Sequence, residues 1–396
     1  MITESSKNRH RVAFLIPSTK YGAYWLPILT ELSQYFKQVV CYTGELPNGF
    51  DPMASGASLF QVVGKTRKLN LTRVKGGYDR GFLIVSPSVI SYLLRFRPQV
   101  IFTSGFSIWT LLALVLKPLG QWLVIVVYDG TSPNVDFQDS KFRMLSRQWI
   151  AKLTDKFISN SQDGERYLTE VIGVDKTNVY TRPYLVPDTR SISQCADDSN
   201  LVQLKNLYHP VFLFVGQVVH RKGLHLLISA CALLEKQGYN HYTLLVVGDG
   251  AQKQEFELFC DAHGLSDRIH WAGWVDYGRL SAYFKAADVF IFPTLEDVWG
   301  MVVLEAMAFH KPVICSKWAG VAEMIDQDKT GYIIDPHNVE ELAGSMRHFI
   351  EHPELIPIMG EQACQVIGQH TPEVAAKFLS NVALTAFNSD IEKISG

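Results

Sequence analysis

The chain has 396 residues, of which 47% are hydrophobic and 19% charged, and its formal net charge is −2. That length exceeds one ordinary core and favours two domains of roughly 150–200 residues each, while the apolar content excludes a largely disordered chain. The near-neutral charge excludes the strong positive balance of a general nucleic-acid binder, so no nucleic-acid partner is expected.

The opening stretch, MITESSKNRHRVAFLIP, lacks the long apolar core of a signal peptide. The six cysteines (Cys41, Cys195, Cys231, Cys260, Cys315, Cys364) lie far apart, without CxxC pairs or metal-binding spacing. They read as buried free thiols in a reducing compartment. A cytoplasmic protein is expected, either free or peripheral on the inner face of a membrane.

In the first half, short β-branched runs alternate with helix-period segments. Val12–Ile16, Gln38–Cys41, Val100–Thr103, Trp122–Tyr128 and Lys156–Ser159 read as buried strands. Tyr24–Phe36, Pro87–Phe96, Ile108–Leu116, Lys141–Leu153 and Asp163–Val171 read as helices between them. Strands that are apolar throughout and spaced by helices imply a parallel sheet covered on both faces. The nearly all-apolar stretch Ser107–Val127 is interrupted by Lys117-Pro118-Leu119-Gly120. Each half is too short for a bilayer core of about 30 Å, so a buried helix and strand are expected.

Residues 61–100 carry Lys65, Arg67, Lys68, Arg73, Lys75, Arg80, Arg95 and Arg97 against the single acid Asp79. This segment is either a solvated surface loop or a patch for anionic lipid or a phosphate-bearing acceptor.

The pattern lapses between Pro183 and Pro210, a stretch rich in proline, serine and aspartate. It predicts a first domain over residues 1–186, a linker over 187–209 and a second domain over 210–371. Strands Val211–Val215, Tyr242–Val247, Arg268–Trp271, Val289–Phe292, Pro312–Cys315 and Tyr332–Ile334 are expected there. The intervening helices are Lys222–Lys236, Ala251–His263, Arg279–Ala286 and Met301–Phe309, and the tail after Thr371 is again helical in pattern. Two α/β domains joined by one linker predict a cleft between the carboxyl ends of two sheets.

Three strand-end features in the second half converge on one ligand type. Gly216-Gln217-Val218-Val219-His220-Arg221-Lys222-Gly223 follows a buried strand and brings two cations to a helix start. A helix N-terminus favours phosphate, and the cations would offset the charge of a diphosphate leaving group. Val247-Gly248-Asp249-Gly250 is a second strand-end turn. The third feature runs from Pro293 to Met307: Glu296 and Asp297 in a loop, Val298 and Trp299, then Gly300 opening an apolar helix that contains Glu305. A carboxylate among Val302, Val303, Leu304, Ala306 and Met307 is costly unless it binds something.

Residues 211–335 resemble the donor domain of retaining glycosyltransferases of the GT-B fold, specifically the large family four, group 1. The resemblance rests on G-x-x-x-x-R-K-G, Gly248-Asp249-Gly250, Gly273-Trp274, the E-x7-E element, Gly320-x-x-Glu323 and Gly331. It implies an α/β GT-B chain with two facing Rossmann-like domains, a nucleotide-sugar donor, and transfer to a hydroxyl acceptor with retention. For that acceptor, the basic segment 65–97 and apolar residues such as Trp109 make a lipid-linked or cell-surface polysaccharide precursor the first guess. It implies that Arg221 and Lys222 hold the diphosphate, that Glu305 meets the ribose hydroxyls, and that Asp297 faces the donor sugar. Gly216, Gln217, Gly248, Gly250, Trp274, Glu296, Val298, Trp299 and Gly300 would line the donor. Glutamate is usual in the family where Asp297 stands, so E-D-V-W-G leaves open which acid touches the sugar. The resemblance further implies that the last helix, about 372–396, packs back on the first domain, and that no bound metal or cofactor is needed.

The first domain departs from the pattern. Tyr128-Asp129-Gly130-Thr131 stands where many members carry a histidine near the reacting centre. Asp129 could orient acceptor or donor sugar, or simply form an Asp-Gly turn; Tyr21 and Gly22 occupy the family's glycine-loop position on the acceptor side. Asp326-Gln327-Asp328 mimics a metal motif but falls where a surface turn is expected. No GxSxG, HExxH or Walker A element appears. Two alternatives remain at this stage: a nucleotide-sugar-binding protein without transferase activity, and a sugar-nucleotide epimerase.

Overall fold

In the computed structural model, which describes residues 8–20, 22, 24–48, 50–72, 77–78, 80–188 and 207–395, the apolar runs form two parallel sheets that belong to two compact units. The first unit comprises residues 1–73, 79–186 and 370–396; the second comprises residues 74–78 and 187–369. Most of the predicted linker, and with it Cys195, lies outside the described residues.

In the first unit, strands β1 (Asn8–Leu15), β2 (Phe36–Thr43), β3 (Phe60–Val62), β6 (Val100–Ser104), β7 (Leu123–Tyr128), β8 (Lys156–Ser159) and β9 (Val179–Thr181) pair in the order β3-β2-β1-β6-β7-β8-β9. Every pairing is parallel. The central strands are apolar on both faces because helices cover both, which is why they read as unbroken runs. Helices α1 (Trp25–Leu32), α2 (Val89–Phe96), α3 (Ile108–Val115) and α4 (Lys141–Leu153) lie between them. Ser107 caps α3 by accepting from the Thr110 amide while the Thr110 hydroxyl receives the Ser107 amide.

Ser107–Val127 divides as its composition demands: α3, a four-residue turn of helix at Lys117–Gly120, then β7. Among the described residues no helix is long and apolar enough to cross a membrane. Trp109 is fully buried and donates from its indole nitrogen to Ser86 O at 2.8 Å, so it belongs to the core and cannot meet an acceptor. The basic segment is more ordered than its composition suggests. It forms an antiparallel hairpin of β4 (Arg67–Thr72) and β5 (Arg80–Ile84).

The second unit repeats the plan with β10 (Val211–Val215), β11 (Thr243–Val247), β12 (Ile269–Gly273), β13 (Val289–Phe292), β14 (Val313–Ser316) and β15 (Gly331–Ile334), in the order β12-β11-β10-β13-β14-β15, all parallel. Its helices are α5 (Leu224–Lys236), α6 (Lys253–Ala262), α7 (Leu280–Ala286), α8 (Met301–Ala308), α9 (Val339–Glu351) and α10 (Leu355–Gly368). The order reverses direction at β10, whose neighbours β11 and β13 diverge to opposite edges; loops at the carboxyl ends of such strands are where α/β sheets bind ligands. The last helix, α11 (Pro372–Ser395), leaves this unit and packs on α1 of the first. There Phe387 stacks on His10 with ring centroids 4.0 Å apart.

Candidate active site

Three loops at the carboxyl ends of β10, β11 and β13 are tied to one another by backbone contacts. Gly216 donates its amide to Val247 O at 3.0 Å, and Val218 donates to Asp249 O at 2.9 Å. Gly248, with φ of +138°, approaches so closely that a Cβ there would stand 1.9 Å from Gly216 O. Gly250 is similarly confined by Val218 O. Gly223, with φ of +69°, marks the start of α5, and a Cβ on it would lie 1.8 Å from Pro293 O. Leu295 then donates its amide to Arg221 O at 2.8 Å, which docks the acidic loop onto the basic one.

This docking assembles the charged cluster. Lys222 Nζ lies 2.5 Å from Asp297 Oδ2, and Arg221 Nη1 lies 3.4 Å from the same oxygen while donating to Glu296 O at 2.8 Å. Burial alone would push the Asp297 carboxyl up, but Lys222 and Arg221 outweigh it and hold the group below the ordinary aspartate value. Burial also lowers the Lys222 ammonium, against the opposing pull of Asp297. Two cations share one directly paired carboxylate, so the cluster keeps an attraction for a further anion.

Glu296 is buried, and its Oε2 accepts from the Tyr78 amide at 2.8 Å. The Tyr78 ring lies under the Arg221 guanidinium, 4.0 Å from its centroid. The acid loop is held from its far side as well: Asp297 donates its amide to Trp318 O and Gly320 donates to Asp297 O, both at 3.1 Å. Val321 donates to Trp299 O at 2.9 Å. Val298 packs where a Cβ on Gly320 would strike its carbonyl, and Gly300 turns at φ of +109° into α8.

Glu305 sits on α8 and is 6% exposed. Its Oε1 accepts from the Tyr277 hydroxyl at 2.9 Å. Burial raises its carboxyl to about 7, with the Tyr277 hydrogen bond pulling slightly the other way. Gln217 and Trp274 are exposed. Among the described residues no group of three or more His, Cys, Asp or Glu could hold a metal ion. Asp326 instead closes a turn, receiving Lys329 Nζ at 2.8 Å, and Asp328 takes a left-handed φ of +65°.

In the first unit, Asp129 follows β7 and its Oδ1 accepts from the Tyr184 hydroxyl at 2.6 Å. Burial raises this carboxyl, partly offset by that hydrogen bond. Tyr128 turns inward. Its hydroxyl donates to Asp136 Oδ1 at 2.8 Å and its ring stacks on Tyr167, so its side chain serves the packing of the unit. Gly22 donates to Thr19 O at 2.7 Å in a tight turn; Tyr21 lies outside the described residues.

The sequence therefore identified the acids and cations that meet in the second unit. It missed Tyr78, which is distant along the chain, and Tyr277, a turn residue. Only the carboxylates that need donors, Glu296 and Glu305, signalled that such partners must exist.

Residues 200–366 match the family described as glycosyl transferases group 1. Among curated proteins, the alpha-D-kanosaminyltransferase of Streptomyces kanamyceticus is 25% identical over 52% of this chain and 52% of its own length. The 2-deoxystreptamine glucosyltransferase of the same organism is 30% identical over 38% of each chain. This chain thus spans about half the length, or less, of these relatives. Two solved structures share the fold across nearly the whole chain. HepE of Anabaena, solved in complex with UDP, superposes with a TM-score of 0.72 at 17% identity, covering 97% of this chain and 99% of its own. Sucrose-phosphate synthase of Thermosynechococcus elongatus gives 0.73 at 18% identity, covering 96% and 100%. The fold is that of the GT-B glycosyltransferases.

Proposed function

We propose that this chain, whose residues 200–366 match the family described as glycosyl transferases group 1, moves a sugar from a nucleotide-sugar donor to a hydroxyl acceptor. The observation that carries the reading is the cluster in which Arg221 and Lys222 converge on Asp297 at the carboxyl end of β13. A nucleoside diphosphate leaving group needs compensating positive charge, and these two cations supply it beside the start of α5. Asp297 holds them in place before the donor arrives. HepE of Anabaena is solved with UDP and with UDP-glucose, which supports the same donor class here.

In this reading Glu305 meets the ribose hydroxyls. Being near its titration point at neutral pH, it accepts a hydrogen bond as carboxylate or donates one as acid. Glu296 or Asp297 faces the sugar hydroxyls; Gly216, Gly248 and Gly250 let backbone approach the ligand. No bound metal is required, because the two cations meet the diphosphate. Transfer with retention is the outcome the family resemblance suggests. The acceptor is a glycan or lipid-linked hydroxyl compound of cell-surface polysaccharide or glycolipid synthesis, with Asp129 as the acceptor-side candidate and the basic segment 65–97 as a contact for an anionic membrane.

The test is turnover. The protein is incubated with a panel of nucleotide sugars and a membrane or glycan extract, and free nucleotide and glycosylated product are measured. Release of nucleotide coupled to product supports the reading. Tight nucleotide binding with no transfer would mark a binding protein, and free epimerised sugar nucleotide an epimerase.

A further inference from the structure

Helix α4 is amphipathic the wrong way round. A surface helix ordinarily turns its apolar stripe to the core and its charges to water. In α4, Phe142, Leu145, Trp149 and Leu153 recur at spacings of three and four and point outward, at 78%, 66%, 49% and 40% exposure. The inward face carries Ile150 together with a cation. Arg147 donates to Asp136 O at 2.7 Å and to Val135 O at 2.9 Å, and its guanidinium lies 5.1 Å from the Phe106 ring.

The apolar strip extends beyond the helix on both sides. Arg143 donates to Gly81 O at 3.2 Å and covers the Phe82 ring at 4.2 Å, which joins α4 to the β4–β5 hairpin. In that hairpin Leu69 pairs with Phe82, and Ile84 lies on the same face; all three are about half exposed. At the other end, Lys117 reaches Leu153 O at 3.4 Å, and Leu119, two residues further along the chain, is exposed. Exposed large apolar side chains on a helix and on the hairpin that Arg143 ties to it mark an interaction site.

The charges around it choose the occupant. The thirteen residues of α4 include four cations and no acid. Exposed Lys141 and Lys152 flank its stripe, exposed Lys65 precedes β4, and exposed Arg67 and Lys68 are the first two residues of β4. A second copy of the chain would bring the same cations against these. An anionic lipid surface instead supplies negative headgroups for the lysines and an apolar layer for Phe142 and Trp149, the arrangement of a helix lying in a membrane interface. We propose that α4 and the β4–β5 hairpin form a lipid-docking face that seats the first unit on an anionic membrane. This extends the membrane-contact reading of the basic segment, and adds to it the apolar helix that inserts.

The experiment is co-sedimentation of the full chain with phosphatidylcholine vesicles containing about one third phosphatidylglycerol, against pure phosphatidylcholine. Binding to the anionic vesicles, weakened by salt, is expected. F142S/L145S/W149S, checked for folding by circular dichroism, is expected to lose about tenfold or more of the partitioning. K65E/R67E/K68E tests the basic segment separately, so the two contributions are distinguished. Wild-type protein left in the supernatant, a triple serine variant that binds like wild type, or a dimer in light scattering that this variant abolishes would each overturn the proposal. Nucleotide-sugar turnover is read independently of sedimentation, so a failed donor assignment leaves this result intact.

Discussion

Lys222 Nζ and Asp297 Oδ2 stand 2.5 Å apart although 75 residues separate them in sequence. The pair is largely buried, with side chains 14% and 11% exposed, so neither charge can be removed without leaving the other in a poorly solvated site. Lys222→Ala is therefore expected to act twice. Under the proposed function, turnover should fall by about 100-fold or more, because the charge that would face a leaving diphosphate is lost. Stability should fall by about 3 kcal/mol, because Asp297 loses its nearest cation. Denaturant melts and steady-state rates separate the two effects.

Asp297 gives the same pair a pH signature. Its carboxyl is held below the ordinary aspartate value in the fold, so its contribution to stability is present above the unfolded value and is lost as pH falls through the folded one. Acid unfolding of Asp297→Asn should be shallower than that of wild type at the most acidic end. Superimposable acid limbs would show that the pair contributes nothing to folding.

Glu305 behaves in the opposite sense. Its folded value is raised to about 7 from 4.5, so the fold binds a proton that the unfolded chain has released. The stabilisation is full below pH 4.5 and fades as pH rises through about 7. Glu305→Gln should remove a pH-dependent loss approaching about 3 kcal/mol across that window, making the variant the more stable at alkaline pH. If Glu305 meets the ribose hydroxyls as proposed, the same substitution is expected to weaken donor binding about tenfold.

How much of this was legible beforehand depended on whether the signal was local. Apolar strands and their intervening helices announced themselves by period, and Ile108–Leu116 and Lys141–Leu153 fall within a residue of the observed helices. Short edge strands β3 and β9 and the hairpin β4–β5 did not, since three to six residues of mixed polarity carry little periodicity. In the site, the cations and acids were visible because charge is rare in apolar strand-end contexts. Tyr78 and Tyr277 were not, because a tyrosine's hydroxyl or ring finds its partner only through tertiary folding. Trp109 misled for the reverse reason: its apolar neighbours fit a surface patch and a core equally well.

Gly223 tests the loop architecture without touching a charge. Its φ of +69° and the 1.8 Å approach of Pro293 O to an added Cβ leave no room for alanine. Gly223→Ala is expected to cost about 1–3 kcal/mol and to displace the acidic loop, reducing turnover while every charged residue remains. A variant with wild-type rate and melt would show that the loops adapt freely.

Asp129 and Tyr184 form the acceptor-side test. Removing the hydroxyl in Tyr184→Phe takes away the hydrogen bond that opposes the burial-driven rise of Asp129. If Asp129 serves the acceptor, the acidic limb of the kcat/KM profile should move to higher pH in this variant, while donor affinity stays unchanged. An unshifted profile would assign the pair to packing alone.

The proposed binding of a nucleotide-sugar donor by Arg221, Lys222 and Glu305 is open to calorimetric titration with a panel of nucleoside diphosphates and their sugars. Saturable binding of one nucleotide and its sugar by wild type is expected, clearly weakened in Glu305→Gln and Lys222→Ala. No binding across the panel, or binding of equal strength in both variants, would contradict it.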